Sequence, residues 1–534
     1  MRSGVPVLHD IAFSDRPFEK AEGVSGKVKR RVELALIVVM LGLTVTAFAG
    51  EKGFPGGLHE ALGPGFGAAA HKSLGHRTHP SNVVTRWNEI AINATGLDHT
   101  PVAPGEHRVF GEQLGPTRSS RAMAIVHIAI FEAVNAIDHR YRSYIDIGRA
   151  NGDTSLDAAV AQAAHDTLAA LFPSQKPDFD TLLAEDLGQI GSHDHAKTNG
   201  VELGQRAAAA ILALRSDDGS QVPEPKMGIG FIPGEQPGFW RQDPISKGPL
   251  ALGAYWGDVK PFVMEASNQF RVPPPPAMDS AQYTSAYDEV KAVGGDGTIT
   301  PTVRTPEQTE IGIYWAYDGT PSLCAPPRLY NQIALHIADQ MGTSSDLPQL
   351  ARLLALVNVS LADAAIAIWE SKYFYQFWRP ITGIRESDKG TGPTGKGDGN
   401  PATTGDPTFT PLGAPASNLS GPNFTPPFPS YPSGHGGFGG ALFEILRKFY
   451  RTDNIAFTFV SDELNGETRD NTGHVRPLIP RSFQSLSQAE EENGQSRIYL
   501  GIHWRFDKTE AIAQGQKVAD YVFSNAFEPT HGRR

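Results

Sequence analysis

Long segments of the chain carry apolar residues at helical spacing, and they predict a protein built from α-helices. Residues 118–137 are apolar on nearly every side, as in a helix buried among other helices. The alanine-rich run 153–172 predicts another helix, with Asp153 or Thr154 as its N-cap. Further helices are predicted at 178–190, 196–216, 280–293, 306–317, 329–341 and 346–377. We find no strand-rich region, so the predicted fold class is all-α.

The longest apolar helix, 346–377, is interrupted by Arg352, Asp363 and Glu370. Charged residues inside a lipid bilayer are unfavourable, so we interpret this segment as a core helix and not as a membrane span. His127 lies within the apolar helix 118–137. We interpret it as a hydrogen-bonded histidine of the core.

Between residues 217 and 278 the helical pattern gives way to Gly, Pro and aromatic residues. This composition is typical of an ordered crossover that wraps the surface, or of a linker between independent domains. Trp240, Tyr255, Trp256 and Phe262 would form an unfavourable apolar patch if the segment were an exposed linker. We therefore favour the wrapping crossover.

The N-terminus has the pattern of an export signal. An apolar run at 34–48 follows basic residues and ends in Ala47-Phe48-Ala49, a small-residue cleavage pattern. The segment 1–49 is therefore predicted to be a signal peptide, with the mature chain beginning near Gly50. A retained membrane anchor is the alternative, and the Arg30-Arg31 pair also allows a twin-arginine signal. Cleavage predicts a secreted or periplasmic protein with no stable membrane insertion after processing.

The rest of the chain is predicted to have three parts. Residues 50–83 are rich in Gly and His without a clear period, and we interpret them as a loosely ordered leader. An N-terminal helical bundle with its crossover follows at 84–278, and a C-terminal bundle with the candidate site at 279–525. The expected architecture is two packed helical bundles with long Pro- and Gly-rich surface loops.

Composition excludes some classes of function. The 534 residues are 40% hydrophobic and 20% charged, as in an ordinary globular protein. The net charge of -11 argues against nucleic acid as the main partner, although a local basic pocket can still bind an anion. The single cysteine, Cys324, excludes an internal disulfide and a cysteine-based zinc site.

Candidate chemistry is concentrated in the segment 491–507, which carries Arg497, His503 and Asp507. If His503 and Asp507 share one helical turn, their spacing of four residues puts them on one face. Asp507 can then accept the Nδ1 proton of His503, which leaves Nε2 as a nucleophile or a metal ligand. Arg497 can offer a guanidinium fork to the same anion. An ordinary surface pair is the alternative interpretation.

A second motif places two cations near the end of the long apolar helix. Lys372 and Arg379 are seven residues apart, nearly two helical turns, so both should project from one face before Pro380 stops the helix. Two cations on one face of an apolar helix need an anion. The alternative is a pair of solvated residues, because Lys and Arg are favoured at helix C-termini.

A third motif, Ser433-Gly434-His435, opens into a helical pattern after a long loop. A loop that enters a helix with free backbone amides and a hydroxyl can hold an anion, and His435 beside it is suited to proton transfer. On its own the motif is also compatible with a flexible turn.

In this order, the three motifs resemble the three-part signature shared by vanadium-dependent haloperoxidases and type 2 phosphatidic acid phosphatases. The resemblance to the haloperoxidase branch extends over residues 84–523 and includes YWAYDGTPSLCAPPRLYN at 314–331. The interval between the second and third motifs is longer than in the usual phosphatase pattern. We attribute the difference to a surface insertion at 463–481.

The resemblance implies vanadate as the cofactor and assigns roles within the three motifs. His503 would ligate vanadium, His435 would be the acid–base residue, and Lys372 and Asp507 complete the catalytic set. Asp318 would be the carboxylate that pairs with Arg379. The vanadate oxygens would be held by Lys372, Arg379, Ser433, the Gly434 amide, Arg497 and the His503 ligand itself.

The implied reaction uses hydrogen peroxide to oxidise halide to hypohalous acid, with a small organic acceptor possible. A soluble acid phosphatase with a phosphohistidine intermediate is the alternative, since phosphate and vanadate have the same tetrahedral shape. A non-catalytic oxyanion-binding protein is a third hypothesis.

Two aromatic residues bear on the choice of halide. Phe428 lies seven residues before His435, where the resemblance places phenylalanine in fungal-type chloroperoxidases and histidine in algal bromoperoxidases. Trp369, one turn before Lys372, should face the same cavity. We expect bromide to be oxidised readily and chloride at least weakly. The alternative is that both are plain core residues.

Overall fold

The computed structural model describes residues 57–68, 82–191 and 194–530, and helices dominate this part of the chain. The predicted signal peptide lies outside the described residues. The helices are α1 Gly57–Ala61, α2 Val83–Asp98, α3 Gly115–Asp138, α4 Leu156–Leu171, α5 Lys176–Gln189, α6 Asp194–Leu214, α7 Ala281–Val293, α8 Pro306–Tyr314, α9 Pro326–Gln340, α10 Leu347–Tyr375, α11 Pro380–Arg385, α12 Gly434–Tyr450, α13 Leu486–Tyr499 and α14 Arg505–Asn525. The strands are β1 Gly67–Ala68, β2 Leu419–Ser420, β3 Phe457–Asn465 and β4 Leu478–Phe483.

Local sequence signals account for most helix ends. The Asp346 side chain accepts a hydrogen bond from the backbone N–H of Gln349 at the start of α10. Thr305 and Gln308 form a capping box at the start of α8. At α4 the N-cap is Ser155, one residue beyond the predicted Thr154, because the Ser155 side chain accepts from the N–H of Ala158.

The buried helix α10 links two groups of helices. It packs against α3, which in turn packs on α4, and α4 packs on α6. On its other side α10 packs against α12 and α14. Because α10 is covered on both sides, its apolar residues are buried around the whole helix, as its sequence predicts.

Glycines allow α12 and α14 to pack closely. A Cβ atom at Gly515 would lie 2.0 Å from the carbonyl oxygen of Gly437, and one at Gly440 would lie 2.5 Å from that of Ile512. Larger residues would force the two helices apart. This contact holds the start of α12 near the start of α14, and both ends contribute to the candidate site.

Among the described residues, α3 and α10 are long and apolar enough to span a membrane. Their apolar windows are 94% and 100% buried inside the protein. Burial of this kind is typical of core helices, in agreement with the interpretation of α10. His127 on α3 is also a core residue, with its Nε2 3.0 Å from Oδ1 of Asn88.

The segment 217–278 wraps the helices, as expected. Trp240, Trp256 and Phe262 are buried, and only Tyr255 among the four aromatic residues is substantially exposed, at 40%. The Asp363 carboxylate on α10 accepts three backbone N–H groups from residues 262–264, at 2.6 to 2.9 Å. These bonds attach the crossover to the core helix.

Two local expectations are wrong. Residues 57–68, assigned to a loosely ordered leader, form α1 and β1, and Leu58 and Phe66 pack into an apolar cluster. Strands β3 and β4 form an antiparallel hairpin that pairs Phe457 with Phe483, a small element within a helical fold. The supposed surface insertion at 463–481 begins inside this hairpin, and Glu463 is fully buried. Edge strands with mixed polarity give a weak sequence signal.

Candidate active site

His503 and Asp507 form a hydrogen-bonded pair at the start of α14. His503 Nδ1 lies 2.8 Å from Oδ2 of Asp507, which also accepts the backbone N–H of Trp504 at 3.0 Å. His503 itself lies just before α14, whose N-cap is Trp504, so the two residues do not share a helical turn. The pair forms because Asp507, in the first turn of the helix, reaches back across the N-terminus.

The cations Lys372 and Arg379 do not project from one helix face. Helix α10 ends at Tyr375, followed by Gln376 in the left-handed region, and Arg379 is the N-cap of α11. Pro380 therefore begins a helix instead of stopping one, as proline at a first helical position commonly does. The two cations nevertheless converge on one ring, because Lys372 Nζ and the Arg379 guanidinium lie 5.1 and 5.0 Å from the centre of Phe428.

Backbone carbonyls hold both cations beside His503. Lys372 Nζ donates to the carbonyl oxygens of Pro429 and Ser430 at 2.8 and 2.9 Å. Arg379 Nη1 donates to the carbonyl oxygen of Ile502 and to Nε2 of His503, both at 2.9 Å. Because Nδ1 faces a carboxylate and Nε2 accepts from a guanidinium, Nε2 is the unprotonated nitrogen of His503.

The carboxylate of Asp318 pairs with Arg497 and not with Arg379, which corrects the assignment made from the resemblance. Arg497 Nη2 donates to both Asp318 oxygens, at 2.6 and 2.8 Å. The hydrogen bonds of Arg379 go instead to His503 and to carbonyl oxygens. Each carboxylate here has several buried cations nearby, and the spacing of residues in the sequence does not show which cation it pairs with.

The third motif lies at the N-terminus of α12. Ser433 is the N-cap, and its side chain accepts from the N–H of Gly436 at 3.3 Å. The Ser433 N–H donates to the carbonyl oxygen of Asp507 at 3.0 Å, which ties this end of α12 to α14. His435 Nε2 lies 2.5 Å from the carbonyl oxygen of Ala316. A carbonyl only accepts, so Nε2 carries the proton of the neutral ring.

These groups surround one cavity of about 50 Å³. His435, His503, Arg497, Asp318 and Gly434 line it. Lys372, Arg379 and Asp507 do not line the cavity but contact residues that do. The remaining part of the wall is mainly apolar. Trp369 and Phe428 are in ring contact with centroids 4.9 Å apart, and Trp369 Nε1 donates to the carbonyl oxygen of Leu252. Ala61 and Leu62 from the N-terminal segment also line the cavity.

The electrostatics of the site favour an anion. Burial lowers the pKa of Lys372 well below its ordinary value and that of Arg379 to about 9, and the mutual repulsion of the cations adds to both shifts. Burial, Arg379 and Lys372 also lower the pKa of His503. Three cations, Lys372, Arg379 and Arg497, stand against the two carboxylates Asp318 and Asp507. An oxyanion would balance the remaining positive charge.

Unpaired donors support the same conclusion. Nε and Nη1 of Arg497 are buried and have no hydrogen-bond partner within the described part of the chain. Buried donors of this kind are rare unless a ligand binds them. With Arg497 and His503 lining one cavity and the amide of Gly434 beside them, the residues present fit a tetrahedral oxyanion such as vanadate.

Sequence reasoning missed two groups of the site. Ser430 Oγ donates to Oδ2 of Asp507 in a short hydrogen bond and lies 3.4 Å from Nδ1 of His503. Its position three residues before Ser433, in the same motif, was the available signal. The carbonyl oxygen of Ala316 had no such signal, because every residue has a backbone carbonyl and the residue type does not mark it.

Comparison with known proteins gives matches of three kinds. A family model described as the VCPO second helical-bundle domain matches residues 352–532. The vanadium chloroperoxidase of Curvularia inaequalis is 32% identical over 515 residues, covering 81% of this chain and 80% of that protein. The structure of the first bacterial vanadium-dependent iodoperoxidase aligns with a TM-score of 0.66 at 23% identity, covering 86% of this chain and all (100%) of that one.

The structure of a holo-type bacterial vanadium-dependent chloroperoxidase aligns with a TM-score of 0.58 at 17% identity. The alignment covers 84% of this chain and 98% of that one. At these identities the two solved structures support the fold alone, which is helical in agreement with the sequence prediction. The family assignment depends on the curated relative.

Proposed function

The chain belongs to the vanadium-dependent haloperoxidase family, and from this premise we propose that it is an exported enzyme that binds vanadate through His503. In this proposal it uses hydrogen peroxide to oxidise halide to hypohalous acid. The observation that carries the proposal is the arrangement around His503. His503, whose Nε2 is unprotonated, lines a buried cavity together with Arg497. Nε and Nη1 of Arg497 have no hydrogen-bond partner among the described residues.

When bound, vanadate would supply a Lewis-acidic centre that activates peroxide toward halide. Arg497 Nε and Nη1 and the Gly434 amide would hold its oxygens. Lys372 and Arg379 would add positive charge from behind Phe428 and His503. Asp507 keeps the proton of His503 on Nδ1, so that Nε2 stays unprotonated. Vanadate would replace the hydrogen bond that Arg379 donates to Nε2.

His435 is suited to handle the proton of peroxide. Its Nε2 proton is held by the carbonyl oxygen of Ala316, so Nδ1 is the nitrogen that can accept a proton. Burial and the nearby Arg497 lower the pKa of His435 well below its ordinary value. The lowered pKa favours the neutral ring, in which Nδ1 is the nitrogen that can accept a proton.

The apolar wall supports halide oxidation in preference to phosphate ester hydrolysis. Trp369 and Phe428, in ring contact, make part of the cavity wall apolar and would offer a halide a weakly polar resting place. A charged phosphate ester does not need such a wall. We expect readily detected bromide oxidation and weaker chloride oxidation.

The test uses purified protein freed of oxyanions, assayed with peroxide, bromide and a halogenation dye, with and without orthovanadate. Halogenation that depends on orthovanadate would support the proposal. Efficient hydrolysis of p-nitrophenyl phosphate, inhibited by vanadate and without halogenation of any halide, would favour the phosphatase. Oxyanion binding without either reaction would favour the hypothesis of a non-catalytic oxyanion-binding protein.

The export part of the proposal is supported by the Ala47-Phe48-Ala49 pattern after the apolar run. N-terminal sequencing of protein recovered outside the cytoplasm should give a start near Gly50. Recovery of the intact N-terminus on membrane-bound protein would contradict cleavage and indicate an anchor.

A further inference from the structure

The short loop that follows α8 carries two groups of the active site. The carbonyl oxygen of Ala316 holds Nε2 of His435 at 2.5 Å, and the Asp318 carboxylate binds Arg497. Between them, Tyr317 has a φ of 47°, in the left-handed region that is unfavourable for a residue with a side chain. The loop needs external contacts to keep this conformation.

Strand β3 of the hairpin supplies these contacts. The backbone N–H of Tyr317 donates to Oε1 of Glu463 at 3.1 Å, and the Tyr317 hydroxyl accepts the N–H of Asp462 at 2.7 Å. Ser461 Oγ donates to the carbonyl oxygen of Tyr314 at 2.6 Å. Three successive residues of β3 therefore hold the loop, but only Glu463 binds the strained backbone through its side chain.

Glu463 is itself fixed by two donors to its other oxygen. Ser417 Oγ donates to Oε2 at 2.6 Å, and Arg476 Nη1 donates to the same atom in a short ion pair. Glu463 is fully buried and Arg476 nearly so. A buried ion pair is poor evidence for stability alone, because the desolvation of both charges offsets much of their attraction. The ion pair with Arg476 has a further consequence, which is that it fixes the position of Oε1 of Glu463 against the N–H of Tyr317.

We propose that Glu463 is a positioning residue for the active site. Its carboxylate holds the Tyr317 backbone, and thereby sets the Ala316 carbonyl against His435 and the Asp318 carboxylate against Arg497. Glu463 acts only through this loop, whose residues Tyr317 and Asp318 line the cavity. The inference rests on the roles proposed for His435 and Arg497.

The main test is Glu463→Ala, which removes the acceptor for Tyr317 N–H. Orthovanadate affinity and kcat for bromide oxidation should each fall about 10- to 100-fold, as for other residues that orient ligand-binding groups. The pH profile of kcat/KM should also change, because His435 loses a fixed partner for Nε2. Glu463→Gln keeps an oxygen for Tyr317 but places its amide NH2 against the donors Ser417 and Arg476. It should therefore recover both properties only in part.

Asp462→Ala is the matched control. Asp462 is the neighbouring residue on β3 and forms a comparable buried pair, 3.1 Å from Nε of Arg328. It contacts Tyr317 through its backbone N–H, which the substitution keeps. Asp462→Ala should lower the melting temperature as much as Glu463→Ala while leaving orthovanadate affinity within about threefold. The Asp462 side chain reaches Tyr317 only through the Gln332 side chain, which accepts from the Tyr317 hydroxyl and not from its backbone. Equal losses of affinity in the two variants would overturn the proposal.

Glu463→Asp covers the case in which Glu463→Ala does not fold. It keeps the charge for Arg476 but is one methylene shorter, so it should fold and still lose the bond to Tyr317. Full orthovanadate affinity and an unchanged pH profile in Glu463→Asp would contradict the inference. Inorganic phosphate binding, measured by calorimetry, tests the positioning of Arg497 even if wild-type protein oxidises no halide. A failure of the proposed function is thereby distinguished from a failure of the positioning role inferred for Glu463.

Discussion

His503 and His435 lie in one cavity but have different partners. His503 is held by a carboxylate on Nδ1 and a guanidinium on Nε2, whereas His435 is held by a backbone carbonyl on Nε2. Burial lowers the pKa of both rings. A carboxylate partner makes the opposite nitrogen a better ligand, while a carbonyl only selects the tautomer. The contrast is consistent with the roles proposed for the two rings, His503 as the vanadate ligand and His435 as the proton-transfer residue.

The two histidines also differ in how their partners are brought to them. Asp507 is four residues from His503, within the first turn of the following helix. Ala316 is 119 residues from His435 and is held in place by the hairpin. The first arrangement depends on local geometry, and the second on the packing of distant segments.

The largest expected effect is that of His503→Ala. Loss of the only ring nitrogen assigned to vanadium should abolish orthovanadate binding and reduce halogenation by more than about a thousandfold. Calorimetric titration with orthovanadate and a bromide assay measure the two effects, and a melting curve checks folding. Normal turnover in this variant would overturn the site assignment.

His435→Ala should have the next largest effect. Removal of an acid–base residue typically lowers kcat by about 10² to 10⁴. Because His435 is not the proposed ligand, orthovanadate affinity should change much less than kcat. The comparison between the two histidines would fail if His435→Ala lost affinity to the same extent as His503→Ala.

Arg497→Ala and Lys372→Ala test the contributions of two cations that lie near the histidine rings. Arg497 lowers the pKa of both histidines, and its removal also leaves Asp318 buried without its partner. We expect halogenation to fall about 10²- to 10³-fold for Arg497→Ala, as for loss of an oxyanion donor, and less for Lys372→Ala. Circular dichroism should show both variants folded. A larger loss in Lys372→Ala would contradict this order.

Asp507→Asn should have a smaller effect than the four substitutions above. The amide no longer fixes the proton on Nδ1 of His503, which should weaken orthovanadate binding about 10- to 100-fold. Ser430→Ala, which removes one donor to the same carboxylate, should change affinity less. Orthovanadate affinity unchanged in Asp507→Asn would show that Arg379 alone orients the ring.

Features that depend on residues close together in the chain could be predicted from the sequence. Helical periodicity identified α3 and α10 as buried helices, because a helix covered on all sides must be apolar all round. The N-cap position of Ser433 and the pairing of His503 with Asp507 follow from short spacings, since a few residues of backbone leave little freedom. The resemblance carried by the three motifs led to the correct family.

Contacts between groups far apart in the chain are seen only in the folded structure. The pairing of Asp318 with Arg497, the hairpin that holds Tyr317, and the contribution of Leu62 to the cavity wall all join segments far apart in the chain. Each of these charges and apolar side chains has several chemically equivalent partners in the sequence. Packing selects one of them, because burial leaves each group the contacts that fit its position and excludes the rest.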